Sequence, residues 1–316
     1  MASWRKEFER YYRPWTVVDD TRSRVDDPTV RTAGAPGRRR ARASEPADAS
    51  PAALIQRDID LAWTVARSPS PTSPLFRLWV NRPCLVTTRR EAHLPDFQAA
   101  ARAAAARGWP VFVRDSGGTT IPHVERSLHL SLILPRQEGA EPGTDQVYTF
   151  LCEPVREALV DLGVEAHYGI VANSFCDGRF NLVAQGRKVA GTSQRWKGGI
   201  PGHPVGEGFI LAHMTLFVEG DLVEATEEVN RFLLEAGGEG GFDPGAVVTV
   251  AELMGTTTDA ASGGSGASTA SRIPQSDPAA SNGGPVPSKL DLGPGDAASP
   301  DTMRLVQQAL RDVLSE

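Results

Sequence analysis

The chain has 316 residues, 40% of them apolar, enough for one large core or two small ones, and a formal charge of -6. That charge argues against a general nucleic-acid binder, which needs a basic surface to neutralise phosphates. Three cysteines at 84, 152 and 176, odd in number and without CxxC spacing, argue against a disulfide framework or structural zinc, and no run approaches the roughly 18–20 apolar residues of a membrane helix. The amino terminus is charged from Arg5 onward and has no apolar leader-like run, so the expectation is an acidic cytoplasmic protein with no membrane and no nucleic-acid partner.

Residues 1–49 open with Trp4, Phe8, Tyr11, Tyr12 and Trp15, then pass into a Pro, Gly, Arg and Asp tract containing Arg38-Arg39-Arg40. The late part has too few apolar residues to offset its ordering entropy, so the segment reads as a largely disordered N-terminal tail. The arginine run reads as solvated linker rather than a partner contact. Ser50-Pro51 is a helix start, N-cap then N1, and apolar positions recur at helical spacing to Arg67. LFRLWV and CLVTT follow as two short strands. The alanine-rich run from Asp96 to Arg107 is a helix stopped by Gly108 and Pro110.

VFVR is a strand that delivers the loop Arg114-Asp115-Ser116-Gly117-Gly118-Thr119-Thr120, and Leu128 to Leu134 is a period-2 strand. An arginine and two consecutive glycines in one loop either make a plain turn or present a cation and bare backbone N–H groups to a carbonyl or phosphate. A helix is predicted from Pro154 to Gly163. Gln185-Gly186 is a hairpin turn, with Lys188 at the head of the segment leading to Gly191. Phe209–Val218 is an apolar strand interrupted by His213, and Leu222–Ala236 is an amphipathic helix closed by Gly237. VVTVAEL closes the folded region near Met254.

Residues 255–299 are Gly, Ser, Ala, Pro and Thr with scattered charges and read as a flexible linker. Residues 300–316 form a short C-terminal helix whose apolar face docks back on the domain. The folded domain is therefore 50–254, with interspersed strands and helices and several strands joined by glycine turns. That predicts an α+β fold with a central mixed, mainly antiparallel sheet flanked by helices.

Among the cysteines, Cys84 and Cys152 sit in apolar contexts and read as core. Cys176 is followed by Asp177-Gly178-Arg179, a polar turn with Lys188 in reach if that turn folds back over the hairpin, and a nearby ammonium favours a thiolate. The residues alone leave Cys176 open between a functional and a structural thiol. His213 reads as a hydrogen-bonded core histidine and His123 as a loop residue; no histidine spacing fits a metal site, so no metal is expected.

GRKVAGTSQRW resembles the G-[RK]-K-[IVF]-[AS]-G-[ST]-[AS]-Q signature of the lipoate-protein ligase and octanoyltransferase family, within the biotin/lipoate protein ligase superfamily, and RDSGGTT resembles that family's R-R-x-G-G-G segment. The resemblance covers about residues 55–254. It implies an α+β catalytic domain with the lipoyl group held between the two motifs. Cys176-Asp177-Gly178-Arg179-Phe180 is similar to the turn of the cysteine-dependent octanoyltransferases and amidotransferases, while Asp115 and Thr119 depart from the ligase form.

What the resemblance implies is an acyltransferase moving an octanoyl or lipoyl group through a Cys176 acyl-enzyme to the lysine of a lipoyl-domain protein. Cys176 and Lys188 are its catalytic candidates. Arg114, Ser116, Gly117, Gly118, His123, Gly191, Thr192 and His213 are its substrate-binding candidates. The donor is octanoyl-acyl carrier protein or octanoylated glycine-cleavage H protein, and no cofactor is required. The alternatives are an ATP-dependent lipoate-protein ligase, or a family member that binds acyl-proteins without catalysis.

Overall fold

Strand alternation in the sequence builds two faces of one sheet. In the computed structural model, residues 3–12, 15–21, 30–33, 50–67, 73–136, 141–198, 208–255 and 301–315 are described. The helices are α1 (Ser3–Phe8), α2 (Pro51–Ala66), α3 (Phe97–Ala106), α4 (Thr144–Asp161), α5 (Leu222–Glu235), α6 (250–255) and α7 (Thr302–Ser315). The strands in chain order are β1 (Trp15–Asp20), β2 (Val30–Ala33), β3 (Leu75–Val80), β4 (Cys84–Thr88), β5 (Val111–Arg114) and β6 (Ile121–His123). They continue as β7 (Ser127–Pro135), β8 (His167–Gly169), β9 (Asn181–Ala184), β10 (Arg187–Lys197) and β11 (Phe209–Phe217).

Eight strands form a mixed sheet in the order β2-β1-β3-β7-β11-β10-β9-β8, parallel only between β1 and β3. A second sheet of three strands, β5-β4-β6, carries the other parallel pair, β4 with β5. The fold is α+β, as the sequence implies. Because side chains alternate along a strand, Leu128, Leu130, Leu132 and Leu134 of β7 share one face with Phe76, Leu78, Ile210 and Ala212. That face packs on α4 and α7 in the main core. The opposite face carries His129 and Ser131, yet all nine residues of β7 are buried. On that face α2 covers an apolar patch of Ala62, Val65, Leu75, Ile133 and Leu211. The three-stranded sheet, α3 and α5 share a third cluster that includes Leu85, Phe97, Phe175 and Phe232.

The N-terminal segment departs from the expected tail. Trp4, Phe8, Tyr12, Trp15 and Val17 are all buried in the main core, so β1 joins β3 inside the sheet rather than remaining disordered. These large side chains bury enough apolar area to offset the ordering entropy of a short segment. Residues 22–29 and 34–49, including the arginine run, lie outside the described residues, as does the 256–300 stretch expected to be linker.

The second departure is α4, which starts at Thr144 rather than Pro154 and keeps that proline inside. Val147, Phe150, Leu151, Val155, Ala158 and Leu159 give it a continuous buried stripe. Tertiary burial of that stripe outweighs the local cost of an interior proline, about 3 kcal/mol.

A buried ionic knot fastens α2 to one half of the sheet. Arg77, fully buried on β3, donates from Nε to Asp20 Oδ2 at 2.7 Å and from Nη1 to Asp58 Oδ1 at 2.8 Å. Ser131 Oγ donates to Asp58 Oδ2 at 2.6 Å, and Trp79 Nε1 donates to Ser131 Oγ at 3.0 Å. The knot joins β1, α2, β3 and β7. Burial pushes the Asp58 carboxyl up, against the pull of Arg77.

The C-terminal helix closes the opposite face. Met303, Val306, Leu310, Val313 and Leu314 of α7 are buried in the main core. Trp15 Nε1 donates to Leu314 O at 3.1 Å and Arg311 Nε to Asp19 Oδ2 at 2.6 Å, so the two ends of the chain fasten each other. Leu310→Ala should therefore lower the unfolding free energy by about 2–5 kcal/mol, read by urea denaturation. An unchanged midpoint would show that α7 does not dock.

Candidate functional site

Three segments meet on the polar face of the large sheet: the Arg114–Thr120 loop between β5 and β6, the 174–180 turn before β9, and the first half of β10. The loop is wound around its own arginine. Arg114 Nη1 donates to Val86 O at 2.7 Å, and Nη2 donates to Gly117 O at 3.0 Å and Thr119 O at 2.7 Å. Burial lowers the pKa of this guanidinium, while Cys176 and Glu91 oppose the shift.

Arg114 Nη2 also reaches Cys176 Sγ at 3.8 Å. Cys176 is buried and has a left-handed backbone, φ +51°, which costs a non-glycine residue of order 1–3 kcal/mol unless its surroundings enforce it. They do so here through three hydrogen bonds. The Cys176 N–H donates to Thr119 Oγ1 at 2.7 Å, and its carbonyl accepts from Asn181 Nδ2 at 3.0 Å and from Lys188 Nζ at 3.0 Å. Lys188 Nζ further donates to Phe175 O at 2.6 Å.

Lys188 is completely buried, and burial pulls its pKa from 10.5 to about 8 despite the favourable charge of Cys176. A register shift between Lys188 and Ala190 interrupts the pairing of β10 with β9 at this point. Gly191 makes room for the lysine: a Cβ there would lie 3.0 Å from both Lys188 Cε and Nζ. Gly118 does the same for the thiol, since its Cβ would lie 2.3 Å from Cys176 Sγ. The sulfur therefore rests against bare backbone on one side and a guanidinium on the other.

The thiol lines a cavity of about 320 Å³ between α2, the polar face of the sheet and the Arg114 loop, at the lower end of the usual size for small-molecule pockets. Of the residues singled out from sequence, Cys176, Arg114, Ser116, His123, Gly191, Thr192 and His213 line it. Gly117, Gly118 and Lys188 do not. Gly117 lies on the loop, Gly118 lies behind the sulfur, and Lys188 holds the cysteine turn from beneath, so its ammonium does not face the cavity directly.

The remaining candidates have defined neighbours. Ser116 Oγ lies 2.9 Å from His213 Nε2, and burial together with Arg114 drives the His213 pKa down to about 3. His123 Nδ1 lies 3.0 Å from Asn81 Nδ2, and burial depresses its pKa far below the ordinary histidine range. Both imidazoles are therefore neutral at physiological pH. Thr192 donates its hydroxyl to Phe180 O at 3.1 Å and its N–H to Asn181 Oδ1 at 3.2 Å, which ties the strand to the cysteine turn.

Sequence reasoning missed Asp58, Trp79, His129, Thr215 and Arg195, which also line the cavity. For Trp79, His129 and Thr215 the signal was the polar half of the alternation in FRLWV, LHLSLIL and FILAHMTLF, which marks a wet or functional face and does not say which; Asp58 on α2 and Arg195 on β10 carried no such signal. Asp115 is gripped by Arg89 and Arg195 at the cavity mouth. Those two arginines hold its carboxyl below the usual range, against the opposite push of burial. Among the described residues no group of three or more His, Cys, Asp and Glu side chains is placed to hold a metal, and no helix is long and apolar enough to cross a membrane. Chemically, the arrangement sets a thiol beside a guanidinium in the wall of a cleft with both polar and apolar lining.

The model of the lipoyl protein ligase A/B catalytic domain matches residues 58–261. A Kyrpidia tusciae protein named octanoyl-[GcvH]:protein N-octanoyltransferase is 44% identical over 187 residues, 58% of this chain and 63% of that protein. One of the same name from Exiguobacterium sp. is 31% identical over 132 residues, 42% of this chain and 46% of that protein. The chain thus spans less than two thirds of either relative. Among solved structures, protein Ta0514 of T. acidophilum with bound lipoic acid superposes with a TM-score of 0.43 at 16% identity, covering 62% of this chain and 72% of that one.

Two outcomes test the geometry. Gly118→Ala should destabilise the fold by about 1–3 kcal/mol through its positive φ and the Sγ clash. Because the clash needs the sulfur, a double-mutant cycle with Cys176→Ala should show coupling of at least about 0.5 kcal/mol; strictly additive values would mean the two groups do not touch. For Lys188 the folded pKa is the depressed one, so between about pH 8 and 10.5 the unfolded chain carries a proton that the folded chain has lost. Stability from this group then rises with pH. Wild type should gain about 3 kcal/mol relative to Lys188→Met between pH 7 and 10.5, at about 1.4 kcal/mol per pKa unit, in paired urea titrations. A pH-independent difference would show that the ammonium is not desolvated.

Proposed function

Because the chain belongs to the lipoyl protein ligase A/B catalytic domain family, we propose that it is a cysteine-dependent acyltransferase. It moves an octanoyl or lipoyl group from a carrier-protein donor, by way of a Cys176 thioester, to the lysine of a lipoyl-domain protein. The observation that carries this reading is the placement of Cys176 Sγ in the cavity wall, on a left-handed residue, between Gly118 and Arg114. Strain concentrated on a cysteine at a cavity is the arrangement expected of a nucleophile and has no use in a structural thiol. Cys84 and Cys152 serve as internal contrast: burial drives the Cys84 thiol up to about 12 and that of Cys152 higher still, and neither lines the cavity.

The steps balance without an outside reactant. The Cys176 sulfur attacks the acyl carbonyl of an octanoyl-lysine donor, the C–N bond breaks, and the thiol proton ends on the departing lysine amine. The acceptor lysine amine then attacks the thioester, the C–S bond breaks, and the proton it sheds restores the thiol. One amide is exchanged for another, so no nucleotide is required. The octanoylated glycine-cleavage H protein is the proposed donor, in line with the names of the relatives; octanoyl-acyl carrier protein is the alternative thioester donor.

Asp115 supports the nucleotide-free reading. It stands where the ligase segment has its second arginine, and it occupies Arg89 and Arg195, two cations at the cavity mouth that a phosphate would otherwise attract. Backbone N–H groups of Gly117 and Gly118 are the candidate oxyanion donors. Lys188 acts as a positioning residue: through the carbonyls of Phe175 and Cys176 it sets the direction of the sulfur. The apolar lining from Ile55, Ile59, Val86, Ile121 and Leu211 takes the acyl chain, whose burial contributes about 5 kcal/mol at about 0.8 kcal/mol per CH₂.

The test is intact-protein mass spectrometry after incubation with octanoylated H protein or octanoyl-acyl carrier protein and no nucleotide. Wild type should gain one octanoyl group, mapped to Cys176 and passed on to an apo lipoyl domain, and Cys176→Ala should gain none. Acceptor modification that needs ATP and free acid, and that survives Cys176→Ala, would replace the transferase with a ligase.

A further inference from the structure

The floor of the cavity is a row of residues set side by side across four strands. The register pairs Gly191 with Thr215, Thr215 with His129, and His129 with Trp79. All four line the cavity. Neighbouring strands are about 4.8 Å apart, so His129 lies about 10 Å from Gly191, two strands away. Gly191 marks the reacting end, since it packs on Lys188, which holds the Cys176 carbonyl. An extended eight-carbon acyl chain is about 9 Å long, given C–C bonds of about 1.5 Å. The last carbons of a chain loaded at Cys176 therefore arrive at His129.

That end of the cavity is polar and incompletely paired. The His129 ring is 2% exposed, and its Nδ1 lies 3.1 Å from Thr215 Oγ1. Its Nε2 is buried and has no hydrogen-bond partner among the described residues. The tautomer in which Thr215 donates to Nδ1 puts the ring hydrogen on Nε2, as a free donor. The rings of Trp79 and His123 flank the imidazole, with centroids 4.4 Å and 4.0 Å away. A methyl group arriving there leaves the His129 donor unpaired, whereas an oxygen or sulfur near the eighth carbon gives it an acceptor. Leaving a buried donor unpaired is the costlier outcome.

We propose that His129 is the specificity-determining residue at the far end of the acyl cavity, favouring an eight-carbon chain that carries a hydrogen-bond acceptor near its end over a plain octanoyl chain. The inference rests on the acyl-binding reading of the cavity, with the acyl carbonyl at the Cys176 end. It identifies sulfur- or oxygen-bearing chains, the dithiolane of a lipoyl group included, as the better-matched cargo. Trp79 adds to the match for sulfur, because a thioether-like sulfur gains from contact with an aromatic ring.

The experiment is isothermal titration of the full chain with octanoate, 8-hydroxyoctanoate and lipoate, in wild type, His129→Phe and His129→Gln. Free acids separate cavity recognition from acyl transfer. Wild type should bind 8-hydroxyoctanoate and lipoate tighter than octanoate by about three- to tenfold, the range that one net hydrogen bond supplies. His129→Phe, which keeps a flat ring beside Trp79 without ring nitrogens, should erase or invert that ratio, and His129→Gln should retain part of it. Thermal melts confirm that each variant is folded, with His129→Leu in place of Phe should that ring not fit. Equal affinities in wild type, or a ratio unchanged in the apolar variant, would overturn the assignment. Failure of all three acids to bind, with acyl transfer intact in the mass-spectrometric test, would likewise remove this cavity as the acyl site while leaving Cys176 as the nucleophile.

Discussion

Everything at the Cys176 end of the cavity depends on one buried cation. The Lys188 ammonium is removed from water and donates to the carbonyls of Phe175 and Cys176, and those bonds bring the cysteine turn back over the hairpin from which the lysine comes. A strand of residues 176–182 running straight would carry the thiol roughly 20 Å from the hairpin turn, at about 3.3 Å per residue. The fold-back removes that distance and fixes Cys176 at φ +51°. The cost is visible in the lysine itself, whose pKa falls to about 8 because burial disfavours its charge. Its stem needs the space that Gly191 leaves, so the glycine, the lysine and the left-handed cysteine form one unit.

The second constraint is that the middle of the large sheet is buried on both faces, one of them apolar and the other mixing polar groups with the apolar patch under α2. Leucines at alternate positions of β7 fill the core with α4 and α7, while His129 and Ser131 point the other way and meet α2, Trp79 and Asp58. A polar face without water must satisfy its groups internally. The knot of Arg77, Asp20, Asp58 and Ser131 does so at the α2 end for every group except Arg77 Nη2. Toward the middle of the sheet the pairing thins to single contacts, Thr215 with His129 and Ser116 with His213. The cavity occupies the same region, so the incomplete pairing and the open space are two aspects of one feature.

The sequence made much of the fold legible where local signals and tertiary demand agreed. Ser50 caps α2 through a bond to the Ala53 N–H, and Gln185-Gly186 turns the β9–β10 hairpin with both residues at positive φ. Where the two conflicted, local reading failed. Pro154 looks like a helix start because nothing nearby in the sequence reveals that Val147, Phe150 and Leu151 are buried by distant strands. Trp4, Phe8 and Trp15 precede a tract poor in apolar residues, and their partners, Phe76 and Phe150 among them, lie scores of residues away. At the site, Cys176, Arg114, Ser116 and Gly191 were legible from motif and turn chemistry. His129 and Trp79 were not, because an alternating strand does not distinguish a solvent face from a buried polar one. The role of Lys188 changed for a similar reason: spacing placed it near the cysteine, and only the coordinates show its bonds going to backbone carbonyls.

On the proposed acyl-binding reading, the three cavity histidines let a polar floor accept a hydrocarbon chain. Burial holds His129 and His213 near a pKa of about 3 and depresses His123 as well, so none of them carries charge at physiological pH. A charged floor would retain water strongly, and stripping that water would oppose the roughly 0.8 kcal/mol gained for each CH₂ buried. Neutral imidazoles are flat and polarisable, and they direct their few hydrogen bonds along the ring plane, which leaves their faces as apolar surface for the chain. Arg114 reinforces this state, since its guanidinium adds to burial in lowering both His213 and His123. The same cation that stands beside the Cys176 sulfur therefore also keeps the floor of the cavity uncharged, and one buried arginine couples the two.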